Sequence, residues 1–367
     1  MGYSTNRHTD PSSPSSRSLS APCPQMRKRA SFDALFAETV RLLIGGLVAH
    51  QGFKAVQNLG TLAAEQGQVL LHQDGGVIAQ LHTLQRGLHQ LQAVFLVDFG
   101  QHPQVVIIAE QPLYEVLGGL HVVRVLEHDF GIKLKDYASF VAGHSLGEYS
   151  AACAAGVFSL TDTAKLLRTR GDAMQKAVPV GVGGMAAVIG AEYAKVAALA
   201  KACSDNGKYV CVAANDNADG QVVLSGHMEA IDKAVELASE FGAKRCVKLP
   251  VSAPFHSPLM EPAAEVMAKA LAQTQANAPQ IPLISNVTAQ PVTSAEDVIN
   301  NLICQVTGSV RWRESVNLMV NQGIHSVIEL GAGKVLSGIV KRSHKEINTA
   351  SAGTVAEIEE LAASLTK

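Results

Sequence analysis

Three absences narrow what this chain can be before any motif is considered. No apolar run approaches the roughly 20 residues that a membrane-spanning helix needs. Lys and Arg (30) nearly balance Asp and Glu (32), and the net charge of -2 gives no electrostatic reason to expect a nucleic-acid partner. The six cysteines form no CxxC pair and no metal-ligand spacing, and thiols scattered through apolar stretches are typical of a reducing compartment. We therefore expect a cytoplasmic protein that binds no metal, no nucleic acid and no membrane.

The chain is long enough, at 367 residues, for one large domain and a smaller one, but its N-terminal third lacks clear patterning. Residues 1–31 are rich in Ser, Pro and Arg without hydrophobic periodicity, which predicts a disordered tail. Such a composition is also found in transit peptides, but no amphipathic helix pattern accompanies it. Residues 32–120 contain apolar runs among many Gln, His and Gly residues, without strand–turn–helix punctuation. This segment is atypical for a folded domain.

From about residue 121 short buried strands alternate with helices. The pattern predicts a helix through 122–128, a strand at 140–142 and a helix of small residues at 146–155. Thr161 is expected to start the next helix as its N-cap. Further strands are expected at 283–285 and 326–330, followed by a helix at 335–342. The alternation predicts the α/β class, with an α/β-hydrolase-like large subdomain built on a parallel sheet from residues 121–182 and 251–367.

Residues 183–250 carry a compact pattern of their own between the two parts of the large subdomain. The expected strands are 185–189, 209–213, 221–225 and 245–249, and the expected helices are 192–203 and 228–241. The order βαββαβ is that of a ferredoxin-like unit. We therefore expect a small ferredoxin-like subdomain inserted into the large one.

A GxSxG motif, Gly143-His144-Ser145-Leu146-Gly147, lies between a predicted strand and a predicted helix. A nucleophilic serine on such a turn needs small flanking residues, because the two backbones approach closely there. The backbone N–H of Leu146, at the helix start, would face a developing oxyanion with the support of the helix dipole. GxSxG also arises by chance in glycine-rich proteins, but the flanking strand and helix favour Ser145 as a nucleophile.

The base for Ser145 must come from among thirteen histidines. His144 is adjacent to the serine, and because neighbouring side chains diverge we expect it to pack the turn. His256 lies in a proline-bracketed loop directly after a predicted strand, where a rigid catalytic loop belongs. His325 stands at the start of a strand and is expected to be structural. Sequence spacing therefore favours His256, though only modestly.

A longer motif around the GxSxG and five further motifs stand in order along the chain. They are GHSLGEYSA at 143–151, RGDAMQ at 170–175, PFHS at 254–257, SNVT at 285–288, Gln305 ahead of VRW at 310–312, and ELGAGKVL at 329–336. With these motifs the chain, from about residue 121 to its C-terminus, resembles the malonyl-CoA:acyl carrier protein transacylases of fatty acid synthesis. Motifs at six positions in the family's order are far more specific than a GxSxG alone.

The resemblance implies a role for each matching residue. Ser145 would attack malonyl-CoA, with His256 as general base and then general acid, in a ping-pong reaction that passes the malonyl group to the phosphopantetheine thiol of acyl carrier protein. Gln305 matches the residue whose backbone carbonyl orients the histidine. Arg170 matches the residue that holds the free malonate carboxylate, although without the resemblance a surface helix position is its simpler interpretation. Phe255 matches the bulky residue of malonyl-selective members and would crowd a methyl branch.

The resemblance also implies that no metal or redox cofactor is needed, and we expect a monomer. It stops before residue 121, because the family's N-terminal GQGSQ motif, whose second Gln helps form the oxyanion region, has no match here. The nearest string is Gln66-Gly67-Gln68-Val69. Residues 32–120 are therefore either an out-of-frame translation or a divergent N-terminus that has lost part of the active site. Two other functions stay open: a serine esterase or thioesterase, and an inactive homologue that binds carrier protein.

Overall fold

A computed structural model of the chain describes residues 104–108, 113–251, 253–331 and 333–366. The expectations for residues 1–31, and those for residues 32–103, lie outside the described residues. The strands are β1 (Gln104–Ile108), β2 (Val141–Ala142), β3 (Gly183–Ile189), β4 (Cys211–Ala218), β5 (Gln221–His227), β6 (Arg245–Lys248), β7 (Leu283–Ile284), β8 (Pro291–Val292), β9 (Ser326–Leu330) and β10 (Asn348–Ala352). The α-helices are α1 (Leu113–Phe130), α2 (Gly147–Ala154), α3 (Leu160–Ala177), α4 (Tyr193–Cys203), α5 (Met228–Leu237), α6 (Glu261–Ala272), α7 (Ala295–Gln305), α8 (Trp312–Asn321), α9 (Val335–Ser343) and α10 (Val355–Leu365). No helix in this part of the chain is long and apolar enough to cross a bilayer.

The larger sheet has six strands in the order β10-β9-β1-β2-β7-β8. Its first five strands run parallel to one another, and β8 pairs antiparallel with β7. Parallel neighbours must be joined by crossover connections, and helices supply them here. Ligands of such open α/β sheets bind at the carboxyl ends of the strands. The turn after β2, which carries the GxSxG motif, lies at that end.

Regular structure begins before residue 121. Strand β1 lies in the middle of the sheet and pairs with β9 from Gln104↔Ser326 to Ile108↔Leu330, and with β2 at Val106 and Ile107. Helix α1 begins at Leu113. The last part of residues 32–120, the segment that is atypical in sequence, thus contains a strand and the start of a helix. A strand inside a parallel sheet is a continuous apolar run without alternation, so β1 has no strong local signal. The pair of glycines in α1 lowers its helix propensity and weakens the signal of that helix.

The smaller sheet has four strands in the order β4-β5-β3-β6, and every pairing in it is antiparallel. Its elements follow along the chain as strand, helix, strand, strand, helix, strand, the order expected for residues 183–250. The core beneath it joins Val188 and Leu224 of the sheet to Leu199 of α4 and Ile231 of α5. The small sheet thus has a hydrophobic core of its own, and it also contributes Met185, Ala214 and Val223 to the main core.

Strand β4 links the small sheet to the large domain. It runs to Ala218, beyond the expected end at 213, and is bulged between Ala213 and Asn215. Ala214 O accepts a hydrogen bond from the N–H of Val310 (2.8 Å), and Val310 O accepts one from the N–H of Asp216 (2.9 Å). The guanidinium of Arg313 in α8 binds both carboxylate oxygens of Asp216 at 2.8–3.0 Å.

Helix α3 begins two residues earlier than the sequence indicates. Ser159 is its N-cap, and its hydroxyl accepts a hydrogen bond from the N–H of Asp162 at 3.0 Å. The expectation that Thr161 caps this helix is therefore wrong. Ser and Thr are both suitable caps, so the choice between two neighbouring hydroxyls depends on backbone geometry that residue type does not reveal.

Candidate active site

Ser145 lies on the tight turn between β2 and α2. Its φ of 55° is left-handed, a strained conformation for a residue with a side chain. A Cβ on Gly143 would overlap the backbone of Gly147, so glycine is required at the start of the turn. Leu146 directly precedes the first residue of α2. The first N–H groups of a helix have no intrahelical acceptors and lie at its positive end, which makes this place suitable for a negative charge.

The hydroxyl of Ser145 and the imidazole of His256 form a hydrogen-bonded pair. Ser145 Oγ lies 2.6 Å from His256 Nε2. On the other side of the ring, Nδ1 lies 2.8 Å from the carbonyl oxygen of Gln305 and 3.2 Å from that of Gly308. A carbonyl can only accept, so Nδ1 carries the proton and Nε2 offers a lone pair to the serine. Among the described residues, the ring is thus oriented by backbone carbonyls and not by a carboxylate.

The loop that carries His256 is held by local hydrogen bonds. His256 itself is left-handed, with a φ of 57°. Ser257 Oγ donates to the carbonyl oxygen of Pro254 at 2.7 Å, and the N–H of Phe255 donates to that of Ala253 at 3.0 Å. Phe255 is buried within the main hydrophobic core of the large domain. These hydrogen bonds therefore fix the loop that carries the imidazole.

Arg170 is buried beneath this pair. Its side chain is among the largest fully buried ones in the described chain, with 1% of the residue exposed. Nη2 donates to Ser145 Oγ (3.0 Å) and to Gln305 Oε1 (3.0 Å), and the guanidinium carbon lies 5.7 Å from the centre of the Tyr149 ring. The interpretation of Arg170 as a surface helix residue is therefore wrong. A serine hydroxyl is held between a neutral base and a cation.

Two residues that sequence reasoning left without a role, Glu148 and Asn286, complete the site. Asn286 Oδ1 accepts from the N–H of Ser145 (2.6 Å), and its Nδ2 donates to the carbonyl oxygen of Gly143 (2.5 Å). Glu148 accepts from Gln305 Nε2 (2.7 Å), which also donates to the carbonyl oxygen of Ser145 (2.7 Å). Both residues stand inside the quoted motifs. The available signals were an acid in a helix of small residues and an amide directly after a parallel strand.

Burial sets the charge states of the two ionisable groups on either side of Arg170. Burial first, and then the positive charge of Arg170, lower the pKa of His256 from 6.5 to about 3, while the carbonyl of Gln305 acts in the opposite direction. Burial raises the pKa of Glu148 from 4.5 to about 7, against the hydrogen bonds from Gln305 and Asn286. His256 is therefore neutral near pH 7 and able to accept a proton.

The other two histidines considered from the sequence have different partners. His144 Nε2 is 2.7 Å from Asn217 Oδ1 of β4, and its ring meets that of Trp312 edge to face at 5.8 Å. His325 precedes β9, at the amino ends of the parallel strands, and its carbonyl oxygen accepts from the N–H of Asn348. His144 thus ties the nucleophile turn to the small sheet, as a packing role predicts, and His325 is distant from the turn.

This fold and site define an α/β enzyme with a serine on a tight strand-to-helix turn, a class that includes enzymes acting on acyl groups. Residues 136–361 match the acyl transferase domain family, and the chain belongs to this family. A malonyl CoA-acyl carrier protein transacylase of Staphylococcus aureus (strain COL) is 40% identical over 220 residues, which are 60% of this chain and 71% of the relative.

Solved structures give the same result. The acyl-carrier-protein-S-malonyltransferase of Bartonella henselae is 48% identical with a TM-score of 0.66, and the match covers 69% of this chain and 79% of that one. The malonyl-transacylase PlMCAT, solved in complex with the type II PKS acyl-carrier protein AntF, is 34% identical with a TM-score of 0.64, covering 68% and 79%. The chain is thus an acyltransferase whose relatives carry the name of malonyl transferases.

Proposed function

We propose that the protein transfers the malonyl group of malonyl-CoA to the phosphopantetheine thiol of an acyl carrier protein, in fatty acid synthesis. The observation that carries this proposal is the double contact of Ser145 Oγ, 2.6 Å from His256 Nε2 and 3.0 Å from Arg170 Nη2. A serine esterase needs only the contact between the serine and the histidine. A buried cation beside the nucleophile suits an acyl group that itself carries a carboxylate, and the names of the relatives support the same substrate.

The first half-reaction moves the malonyl group onto the enzyme. Ser145 Oγ attacks the thioester carbon while its proton passes to Nε2 of His256. The negative oxygen that forms is stabilised by the N–H of Leu146 and by the positive end of α2. When the carbon–sulfur bond breaks, His256 returns its proton to the sulfur, so CoA leaves as the thiol and a malonyl-serine ester remains.

The second half-reaction repeats these steps with another thiol. The phosphopantetheine thiol of the carrier protein gives its proton to His256 and its sulfur attacks the ester carbon. The bond to Ser145 Oγ then breaks, and the oxygen recovers the proton from the imidazole. CoA leaves before the carrier protein reacts, and the malonyl-serine ester links the two half-reactions, so the mechanism is ping-pong.

Three residues select the acyl group in this proposal. The guanidinium of Arg170 holds the free carboxylate of the malonyl group through two parallel hydrogen bonds, a geometry that a lysine cannot supply. The side chain of Gln305 binds Arg170 at 3.0 Å, and its backbone carbonyl orients His256. Gln305 therefore fixes both the guanidinium and the imidazole. Phe255, buried beside the base, limits the room for a methyl branch.

The chain divides, in our proposal, into an α/β-hydrolase-like large subdomain (121–182 and 251–367) and a ferredoxin-like small subdomain (183–250). Support comes from the strand order β4-β5-β3-β6 with antiparallel pairing, and from that sheet's own hydrophobic core. Strand β1 and the start of α1 belong with the large subdomain by their pairing.

We propose a cytoplasmic monomer that needs no metal or redox cofactor. The described cysteines are free thiols, and Cys203 and Cys211 are buried in the small sheet unit, which suits a reducing compartment. The charges that the reaction creates are met by Arg170 and by backbone N–H groups, so the residues present supply the electrostatic stabilisation that transfer requires.

Intact-mass analysis after mixing with malonyl-CoA tests the function. The expected result is a stable gain of one malonyl group on the wild type, lost on adding holo-acyl carrier protein, and absent from Ser145→Ala. Ser150→Ala is the matched control, since Ser150 is a buried serine of the helix that follows the nucleophile turn, and its replacement should leave the adduct intact. An adduct that water removes without carrier protein indicates a hydrolase. Binding of carrier protein without any adduct indicates an inactive homologue, and either result contradicts the proposal.

A further inference from the structure

Glu148 is a buried carboxylate that the transfer reaction described above does not use. It lies in the first turn of α2, three residues after the nucleophile, and is 1% exposed. Its two oxygens accept hydrogen bonds from two different segments of the chain. Oε2 binds Gln305 Nε2 at 2.7 Å, and Oε1 binds the backbone N–H of Asn286 at 3.2 Å.

Each of these two partners holds one half of the reacting pair. The carbonyl oxygen of Gln305 binds His256 Nδ1 at 2.8 Å and so sets the direction of the base. The side chain of Asn286 binds the N–H of Ser145 and the carbonyl oxygen of Gly143, and so fixes the nucleophile turn. One carboxylate therefore bridges the segment that orients the base and the segment that orients the nucleophile, beside the hydrogen bond that Gln305 Nε2 donates to the carbonyl oxygen of Ser145.

Only a carboxylate can make both contacts. The two partners are N–H donors, and an ionised carboxylate accepts with either oxygen. A glutamine of the same shape has one oxygen and one NH2 group, so one of the two contacts would set a donor against a donor. Burying a carboxylate is unfavourable unless it is well paired. Here the two donors and the positive charge of Arg170 offset part of that cost, and the pKa of Glu148 still rises to about 7.

We propose that Glu148 is a positioning residue that holds His256 and Ser145 in register for the transfer of the serine proton. The inference rests on the proposed function, because it concerns the same serine and histidine. Glu148 itself touches neither the substrate nor the reacting atoms. Its effect passes through Gln305 and Asn286.

The test is the rate at which a fluorophosphonate, an uncharged serine reagent, labels Ser145. This reaction needs an activated serine but no malonate carboxylate. Glu148→Gln is expected to slow labelling about 100-fold, the effect of displacing a reacting group by about 1 Å. Glu148→Asp keeps two acceptor oxygens and should label faster than Glu148→Gln. Glu329→Gln is the matched control, a buried carboxylate that caps α9 (Oε2 to Ser337 N, 2.9 Å), and should label at the wild-type rate.

The order of the two Glu148 variants separates positioning from packing. Glutamine conserves the volume of the side chain better than aspartate, so a packing role predicts faster labelling of Glu148→Gln. That order, or a folded Glu148→Gln that labels at the wild-type rate with only a lower melting temperature, overturns the inference. If Glu148→Gln does not fold, Glu148→Ala takes its place, and a folded Glu148→Ala that labels at the wild-type rate overturns the inference equally. A wild type that accepts neither fluorophosphonate nor malonyl group contradicts the proposed function instead.

Discussion

Replacing Arg170 by alanine removes the cation beside the nucleophile hydroxyl. In the structure Nη2 of Arg170 lies 3.0 Å from Ser145 Oγ, and the residue as a whole is 1% exposed, so this cation is screened little by bulk solvent. A malonyl group bound to Ser145 would leave its free carboxylate without a counter-charge in the variant. An acetyl group ends in a methyl and loses no such contact.

The expected size of the effect follows from the hydrogen bonds that are lost. A guanidinium binds a carboxylate through two charged hydrogen bonds, each worth about 1.5–3 kcal/mol. Their loss amounts to about 3–6 kcal/mol, or on the order of 10²–10⁴ in kcat/KM, since about 1.4 kcal/mol is a factor of ten. The contact between Nη2 and Ser145 Oγ is lost for both substrates. It therefore cancels in the ratio of malonyl to acetyl transfer.

The assay compares kcat/KM for malonyl-CoA and acetyl-CoA with one carrier protein. Arg170→Ala should lower the malonyl/acetyl ratio by the factor above, and Arg170→Lys should restore only part of it, because an ammonium lacks the planar fork. Arg168→Ala is the matched control, since its ion pair with Asp172 on the same helix is exposed and contributes about 0–1 kcal/mol. A ratio in Arg170→Ala within a factor of ten of the wild type would refute the placement of the carboxylate on Arg170.

Three further results are expected. Phe255→Ser should raise transfer of methylmalonyl relative to malonyl groups, and an unchanged ratio of kcat/KM values contradicts the crowding argument. Because the pKa of His256 falls to about 3, the unfolded state binds a proton between pH 6.5 and 3 that the native state does not. The unfolding free energy of the wild type relative to His256→Gln should therefore decrease as the pH drops below 6.5, and urea titrations at several pH values measure it. Asp216→Asn should lower the free energy of unfolding by about 1–3 kcal/mol, since it breaks a bidentate pair with Arg313, and no change in urea midpoint contradicts this.

Elements with a clear local pattern could be predicted from the sequence. The four strands and two helices of the small sheet unit lie close to their expected positions, because alternation and helical periodicity over several residues are strong signals. Strand β4 continues past 213 because the bulged segment pairs with Val310, which is remote in sequence. Strand β1 could not be predicted, because a short apolar run does not show that it pairs with β2 and β9 in a sheet.

The site could be predicted only as far as its motifs reach. Ser145 and His256 follow from a GxSxG turn and a proline-bracketed loop, whereas the burial of Arg170 follows only from the resemblance. Glu148 and Asn286 act through contacts to the backbone of distant segments. Such contacts depend on how the chain folds around the turn, and they cannot be predicted from the residue type alone.

The conformation of Ser145 gives a last prediction, on stability. An L-residue in the left-handed region costs about 1–2 kcal/mol, which glycine avoids. Elsewhere glycine destabilises a helix by about 0.5–1 kcal/mol relative to alanine. At a φ of 55° the first effect should outweigh the second, so Ser145→Gly should be as stable as Ser145→Ala or more stable, by up to about 1 kcal/mol.

Ser150 offers the matched comparison, because it is a buried serine in the regular part of α2. There Ser150→Gly should be less stable than Ser150→Ala by about 1 kcal/mol, the ordinary helical order. Urea unfolding of the four variants measures both differences. The strained turn persists because the N–H of Ser145 is held by Asn286 and its carbonyl by Gln305. If glycine is the less stable residue at both positions, those two hydrogen bonds do not hold the nucleophile against strain, and its backbone must relax out of the left-handed region in solution.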